Sequence, residues 1–198
     1  MASRATQARI KNKMDTLISI AIGIGLSAAC GFRIFVPPLV MSMAALIGHL
    51  PLSQDFQWVG TYPALIAFSV ATCIEIAAYY IPWVDNLLDA VSTPLAIAVG
   101  TSLTAALFPH NDPFIQWTVA VIAGGGSAGI VQALTSMVRL SSTAFTAGIG
   151  NSLVSTLESA TSIILSLLSL WVPLLTVVLI ATGIVLLLSK KLRRQELT

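Results

Sequence analysis

Long apolar stretches fill most of the chain, and prolines and short polar segments separate them. A helix that crosses a bilayer needs about 20 mostly apolar residues. Six stretches approach or reach that length. The pattern therefore predicts an all-α protein, a polytopic transmembrane helical bundle of about six spans, at residues 16–36, 63–81, 94–108, 114–139, 152–171 and 174–189.

Three other segments predict structure that does not cross the bilayer. Residues 39–50 are apolar, but a helix of that length rises only about 18 Å, so we expect a half-helix or a re-entrant piece. Residues 141–151 are rich in Ser, Thr and Gly and predict a loop at or near membrane depth. Residues 83–91 predict a short amphipathic piece ahead of the third span.

Charge is sparse and is concentrated at the two ends of the chain. Charged residues make up 9% of the sequence, against about 25% in a soluble domain, which excludes an ordinary soluble protein. Of the ten Lys and Arg residues, all but Arg33 and Arg139 lie in the tails. We expect one transmembrane domain, residues 16–189, between basic tails at 1–15 and 190–198.

The basic tails also predict an orientation. An even number of spans places both ends on one side, and the positive-inside rule makes that side cytoplasmic. The tails are therefore interpreted as membrane flanks and not as a nucleic-acid-binding surface, so the expected partner is the lipid bilayer and not a nucleic acid.

Ionisable residues within the apolar stretches are the candidates for a functional site, because an intramembrane charge costs at least ~2.5–3.5 kcal/mol. Counting residues along the predicted spans places most of them in the inner half of the membrane. Arg33 is a second, separate candidate, which the same count places near the outer face. The candidate polar or ion site consists of Glu75, Asp85, Asp89, Arg139 and Glu158.

Two interpretations of that site stay open. In one, a buried Glu75–Arg139 or Glu158–Arg139 pair fixes the register of the helices. In the other, the acidic residues form a cytoplasm-facing vestibule for a cation or a proton relay.

Small residues at four-residue spacing predict close helix packing, as is common in lipid. We expect the first span to pack against the fourth. The alternative is an unwound, ligand-lining segment at the triple glycine 124–126. The predicted packing positions are Gly23, Ser27 and Gly31 in the first span and Gly125 and Gly129 in the fourth.

No pattern in the sequence predicts an enzyme. HExxH and a Cys/His nucleophile pair are both missing from the sequence, so we expect no catalytic residue, no metal site and no cofactor. The aromatic residues near the predicted helix ends are expected to form an interfacial belt. These are Trp58, Tyr62, Tyr79, Tyr80, Trp83, Trp117 and Trp171.

Four motifs in order resemble a known family. They are GFRIFVP at 31–37, Glu75 followed by IPWVDNLLD at 81–89, GGGSA at 124–128, and STAFTAGIGN at 142–151 followed by Glu158. Together they look like the domain-of-unknown-function family forty-one twenty-six, small bacterial and plastid membrane proteins, over residues 17–173. The chain departs from that pattern at Phe32 and Ser152, where the family has Leu and Pro.

The resemblance implies that the charged candidates, including Arg33, fall within shared motifs, and it transfers no activity. It also implies a bacterial plasma membrane or a cyanobacterial thylakoid membrane as the location. The function we expect is a small transporter or channel-like protein, linked to a cation or to protons and working as a homo-oligomer, with its substrate unidentified. The alternative is a structural or assembly factor of a membrane complex, without a transported substrate.

Overall fold

The computed structural model describes the backbone of residues 2–108, 112–146 and 149–195, and the side chains of residues 14–81, 84, 87–108, 112–146 and 149–186. These parts of the chain are helical and contain no strand, which confirms the all-α class. A 3₁₀ segment covers Gln54–Gly60 and a π-helical segment covers Ala120–Gly125. The α-helices are α1 (Ala2–Cys30), α2 (Val36–Leu46), α3 (Tyr62–Ala78), α4 (Pro82–Leu107), α5 (Pro113–Val119), α6 (Gly126–Thr146), α7 (Asn151–Trp171) and α8 (Pro173–Gln195).

Three helical segments are long and apolar enough to cross a membrane, as a membrane protein requires. They are Leu87–Leu107, Pro113–Thr146 and Asn151–Trp171. A fourth exists if the 3₁₀ segment and α3, which meet at a bend of 68°, count as one broken span.

Within the described residues this is fewer than the six expected spans. The difference lies mainly at the two ends of the bundle, where the described apolar parts, Met14–Cys30 and Pro173–Leu186, are shorter than a span.

Helix boundaries depart from the sequence pattern at three places. The first helix ends at Cys30 and not near residue 36, and α2 then begins with prolines in its first turn, where a missing N–H costs nothing. The expected pieces at 83–91 and 94–108 form the single helix α4, with Pro94 inside it. The expected loop at 141–151 is mostly helical, because α6 continues to Thr146.

The half-helix expected after the first span is present as α2, which has 11 residues. It packs against the 3₁₀ segment, where the buried Ser42 Oγ donates a hydrogen bond to the Val59 carbonyl at 2.6 Å. The helical backbone is therefore interrupted twice in this part of the chain, by the break between α1 and α2 and by the bend before α3.

The predicted small-residue positions are packing positions. The expected contact of the first span with the fourth is present, since the Ser127 hydroxyl donates to the Ile24 carbonyl at 3.4 Å. Helix α4 is an additional partner that packs against both. On its α1 side, the Ser27 hydroxyl donates to the Gly100 carbonyl at 2.6 Å, and a Cβ at Gly23 would lie 3.0 Å from Thr104 Oγ1. Gly31, also in the predicted set, contacts α6: a Cβ added at Gly31 would lie 2.6 Å from the Cβ of Val131.

On the other side of α4 lie the glycines of the predicted fourth span. A Cβ at Gly125 would lie 2.6 Å from Thr101 Oγ1, and one at Gly129 would lie 3.0 Å from Ile97 Cγ1. The triple glycine is helical, with a π-helical turn through Gly125, and not unwound. The glycines thus let three helix backbones approach closely.

Candidate functional site

Arg33 lies in the break between α1 and α2 and is 1% exposed. Its guanidinium group reaches across to α7. Nε donates to Ser159 Oγ at 2.9 Å, and Nη2 donates to the Ser155 carbonyl at 2.8 Å and also to the Ser155 hydroxyl. Nη2 lies 3.7 Å from Glu158 Oε2. The break is therefore attached to α7 by one guanidinium group.

Arg139 on α6 meets the same carboxylate. Its Nε donates to both oxygens of Glu158, at 3.0 and 3.1 Å, and its Nη2 pairs with Oε2 as well. Its Nη1 lies 3.6 Å from Oδ1 of Asp89 on α4. Of the two expected pairs, Glu158–Arg139 is thus present, and together with Asp89 it joins three helices.

Tyr79, directly after α3, brings the two arginines together. The Cζ atoms of Arg33 and Arg139 lie 4.0 and 4.2 Å from the centroid of its ring. Tyr79 is 6% exposed, so its assignment to an interfacial belt was wrong. The other described aromatic residues of that set are exposed, as a belt requires: Trp58, Tyr62, Tyr80, Trp117 and Trp171.

Glu75 on α3 is buried but serves the backbone. Its carboxylate oxygens accept hydrogen bonds from the backbone N–H groups of Ile34 at 2.7 Å and Phe35 at 3.0 Å. These amides lead into the N-terminus of α2, where N–H groups lack helical partners and the helix dipole favours negative charge. A Glu75–Arg139 pair is not among the ion pairs of the described residues.

The structure therefore brings together two groups of candidate residues that the sequence analysis had placed apart. Arg33 was expected to lie apart from the other charges, and that is wrong, because it shares Glu158 and Tyr79 with Arg139. Its expected place near the outer face stays a prediction. Asp89 and Glu158 lie with them as expected, and Glu75 lies next to the break that carries Arg33. The side chain of Asp85 lies outside the described residues.

A stripe of serines on α7 was not identified from the sequence. Ser155, Ser162, Ser166 and Ser169 are each fully buried, spaced by three, four or seven residues. Ser162 donates to the Ala29 carbonyl of α1 at 3.0 Å. The signal that could have revealed the stripe is the helical spacing of hydroxyl residues within an apolar segment.

The model of a family described as "Domain of unknown function (DUF4126)" matches residues 20–193. The chain belongs to this family. The resemblance noted in the sequence is confirmed at the level of a domain of unknown function. The search of curated proteins and the search of solved structures each gave no match.

The DUF4126 domain also holds a cavity beside the charged residues. It has a volume of about 560 Å³ and lies between α6, α7 and α8. Most of its wall is aliphatic, and Glu158 is the one ionisable residue among the described residues that line it. The charged network thus ends at the wall of an apolar cavity.

Among the residues whose side chains are described, two guanidinium groups face two carboxylates in this network, and Glu75 is compensated by backbone amides. Glu158 is shared by both arginines, so any change in its charge acts on both contacts at once. We therefore treat Arg33, Tyr79, Arg139 and Glu158, with Asp89 at the edge, as the candidate functional site and call it the two-arginine site.

Proposed function

We propose that this DUF4126 protein is a small integral membrane transporter, linked to protons or to a cation, in which the break between α1 and α2 is the moving part. One observation carries the proposal: Arg33, which lies in a helix break, is held to α7 through a carboxylate that it shares with Arg139. Discontinuous helices with polar contacts at the break are a common feature of transporter sites.

The mechanism follows from the sharing of Glu158. A proton on Glu158, or a cation that takes the place of one arginine, removes the charge that both guanidinium groups share. Both ion pairs then weaken together, and Arg33 is held to α7 by its hydrogen bonds to Ser155 and Ser159 alone, so the attachment of α7 to the α1–α2 break loosens. Because buried charges in a membrane are costly, they are typical of ion and proton pathways, and this network draws on five parts of the chain.

The proposal includes a topology and an assembly. Helices α1 and α8 complete two further spans, the basic tails lie on the cytoplasmic side as the positive-inside rule requires, and the protein works as a homo-oligomer. The expected membrane is a bacterial plasma membrane or a cyanobacterial thylakoid membrane.

Flux through proteoliposomes tests the function. Purified protein is reconstituted, a proton gradient or a gradient of one alkali cation at a time is applied, and internal pH or ion content is followed. We expect flux above that of empty liposomes, and we expect Glu158→Gln to abolish it while the protein stays folded. The matched control is Asp55→Asn, an exposed carboxylate outside the site, which should leave flux unchanged. Equal traces for wild type, Glu158→Gln and empty liposomes across the panel would contradict transport.

A second function, a structural or assembly factor, is favoured by one observation: Asp89 and Glu158 both lie in ion pairs with arginine. In that case the charges fix helix register. An exchange of charges, Arg139→Glu with Glu158→Arg, would be the usual test, but here it places a second guanidinium next to Arg33. A defined partner that co-purifies at fixed stoichiometry, together with an absence of flux, would favour this function over transport.

A further inference from the structure

The cavity between α6, α7 and α8 is large enough to be a ligand site. Its volume of about 560 Å³ lies within the roughly 300–1,000 Å³ that is typical of such sites. Most of its lining residues are aliphatic, among them Leu134, Val154 and Leu165. Side chains on its wall such as Val138 and Leu157 are more than half exposed, so the cavity opens towards the apolar surface of the bundle.

The polar groups of the wall share one property: they offer acceptors and no free donor. Glu158 presents a carboxylate. The hydroxyl of Thr135 donates to the backbone carbonyls of Gly31 and Gln132 at 3.1 and 2.9 Å. The hydroxyl of Thr161 donates to the Leu157 carbonyl at 2.7 Å. A ligand that satisfies these groups must bring a hydrogen-bond donor.

Charge decides which donor fits. A free anion would meet the carboxylate of Glu158. A cation reaches that carboxylate only by displacing Arg33 or Arg139, as in the proposed transport step, whereas a resident ligand must bind while both arginines stay in place. A neutral hydroxyl group meets neither difficulty, because it donates one hydrogen bond without changing the charge of the network.

We propose that this cavity binds a neutral amphiphile, an aliphatic chain that ends in a hydroxyl group, with the chain between α6, α7 and α8 and the hydroxyl donating to Glu158. This goes beyond the proposed transport function and does not depend on it. The wall formed by α8 supports the fit, because Gly183 lines the cavity and a Cβ added there would meet no atom within 4 Å.

Photolabelling tests the proposal on the full chain in nanodiscs. The probe is hexadecanol carrying a diazirine on its chain, and mass spectrometry maps the labelled peptides. We expect labels on α6, α7 and α8. We expect unlabelled hexadecanol to displace the probe, and hexadecane, hexadecylamine and palmitate to displace it poorly. Labelling spread over the whole apolar surface, or equal competition by hexadecane, would overturn the proposal.

Two variants locate the site. Gly183→Leu fills the cavity, and we expect it to lower labelling roughly tenfold, as for a side chain that overpacks a filled space. Gly126→Leu is the matched control, because its Cβ also meets nothing within 4 Å and it does not line the cavity.

The remaining outcome concerns a second copy of the chain. If Gly183→Leu changes the mass of the particle in light scattering and leaves hexadecanol labelling unchanged, the cavity is an interface between copies and the ligand proposal is wrong. Unchanged labelling together with unchanged mass contradicts it equally.

Discussion

Arg33 and Arg139 lie over the same aromatic ring, with their Cζ atoms 4.0 and 4.2 Å from the centroid of Tyr79. They also share Glu158. Two buried guanidinium groups repel each other, so their association requires compensation from both neighbours. The carboxylate supplies a full negative charge and the ring face supplies its quadrupole. Tyr79 is therefore a structural part of the two-arginine site.

The first prediction concerns that ring. Tyr79→Phe keeps the aromatic face and should change the free energy of unfolding little, whereas Tyr79→Leu removes the cation–π contacts and should cost about 1–2 kcal/mol. Unfolding in mixed micelles, followed by circular dichroism, measures the difference. The control is Tyr80→Leu at the neighbouring position, which is 46% exposed. Equal stability of the Phe and Leu variants at position 79 would show that the ring contributes only its volume.

The sequence allowed prediction of the helical class, of a short apolar segment near α2 and of a carboxylate paired with Arg139, because each follows from local composition or from charge scarcity. It left open whether Glu75 or Glu158 is that carboxylate. It did not allow prediction of the position of Arg33. The depth of Arg33 was estimated from its residue number along the first predicted span. That estimate assumes that one helix covers the whole apolar stretch to residue 36, but α1 ends at Cys30. The start of α2 that follows is bound by Glu75, 40 residues away from Phe35, and such a contact leaves no local signal.

The packing positions show the same limit. Four-residue spacing identified Gly23 and Gly125 as contact residues, because a small residue is required wherever helix backbones approach closely. The spacing does not say which helix approaches. Helix α4 has small and hydroxyl residues of its own, such as Gly100 and Thr104, and it packs against both predicted partners.

We expect Glu75 to contribute more to the stability of the start of α2 than to the stability of the ion network. Glu75→Gln leaves one acceptor oxygen for two backbone N–H groups, and should cost about 1–3 kcal/mol of unfolding free energy. Hydrogen exchange should show lost protection at the amides of Ile34 and Phe35. The control is Asp112→Asn, where the carboxylate also accepts from a helix-start amide at 2.9 Å but Asn caps equally well. Lost protection at α7 with retained protection at α2 would contradict this role.

The serine stripe of α7 offers a matched pair. Ser162 donates to the Ala29 carbonyl of α1, whereas Ser166 Oγ has no hydrogen-bond partner among the described residues. Ser162→Ala should therefore cost about 0.6 kcal/mol and at most about 1.7, the range for hydrogen bonds between membrane helices. Ser166→Ala should be neutral or slightly stabilising. Thermal unfolding in one detergent measures both, and a larger loss at position 166 would show that its hydroxyl has a partner in the protein's membrane environment.

Two glycines only two positions apart are expected to respond oppositely to a methyl group. A Cβ at Gly124 would lie 2.6 Å from the Gly100 carbonyl oxygen and would also meet Thr104, and a backbone atom cannot move aside cheaply. Gly124→Ala should therefore destabilise the protein by about 1–3 kcal/mol, as overpacking does. At Gly126 a Cβ meets nothing within 4 Å, so Gly126→Ala should be neutral or stabilise the helix by up to about 1 kcal/mol.

Equilibrium unfolding of the two variants in parallel separates packing from helix propensity, because propensity alone predicts a gain at both positions. Equal gains would mean that α4 does not press against the glycine-rich segment as described. The π-helical turn sharpens the contrast, since Gly124 lies within it and Gly126 follows it directly. A loss confined to position 124 that a second change, Thr104→Ala, does not reverse would assign the cost to the Gly100 backbone. A reversal would assign it to the Thr104 side chain.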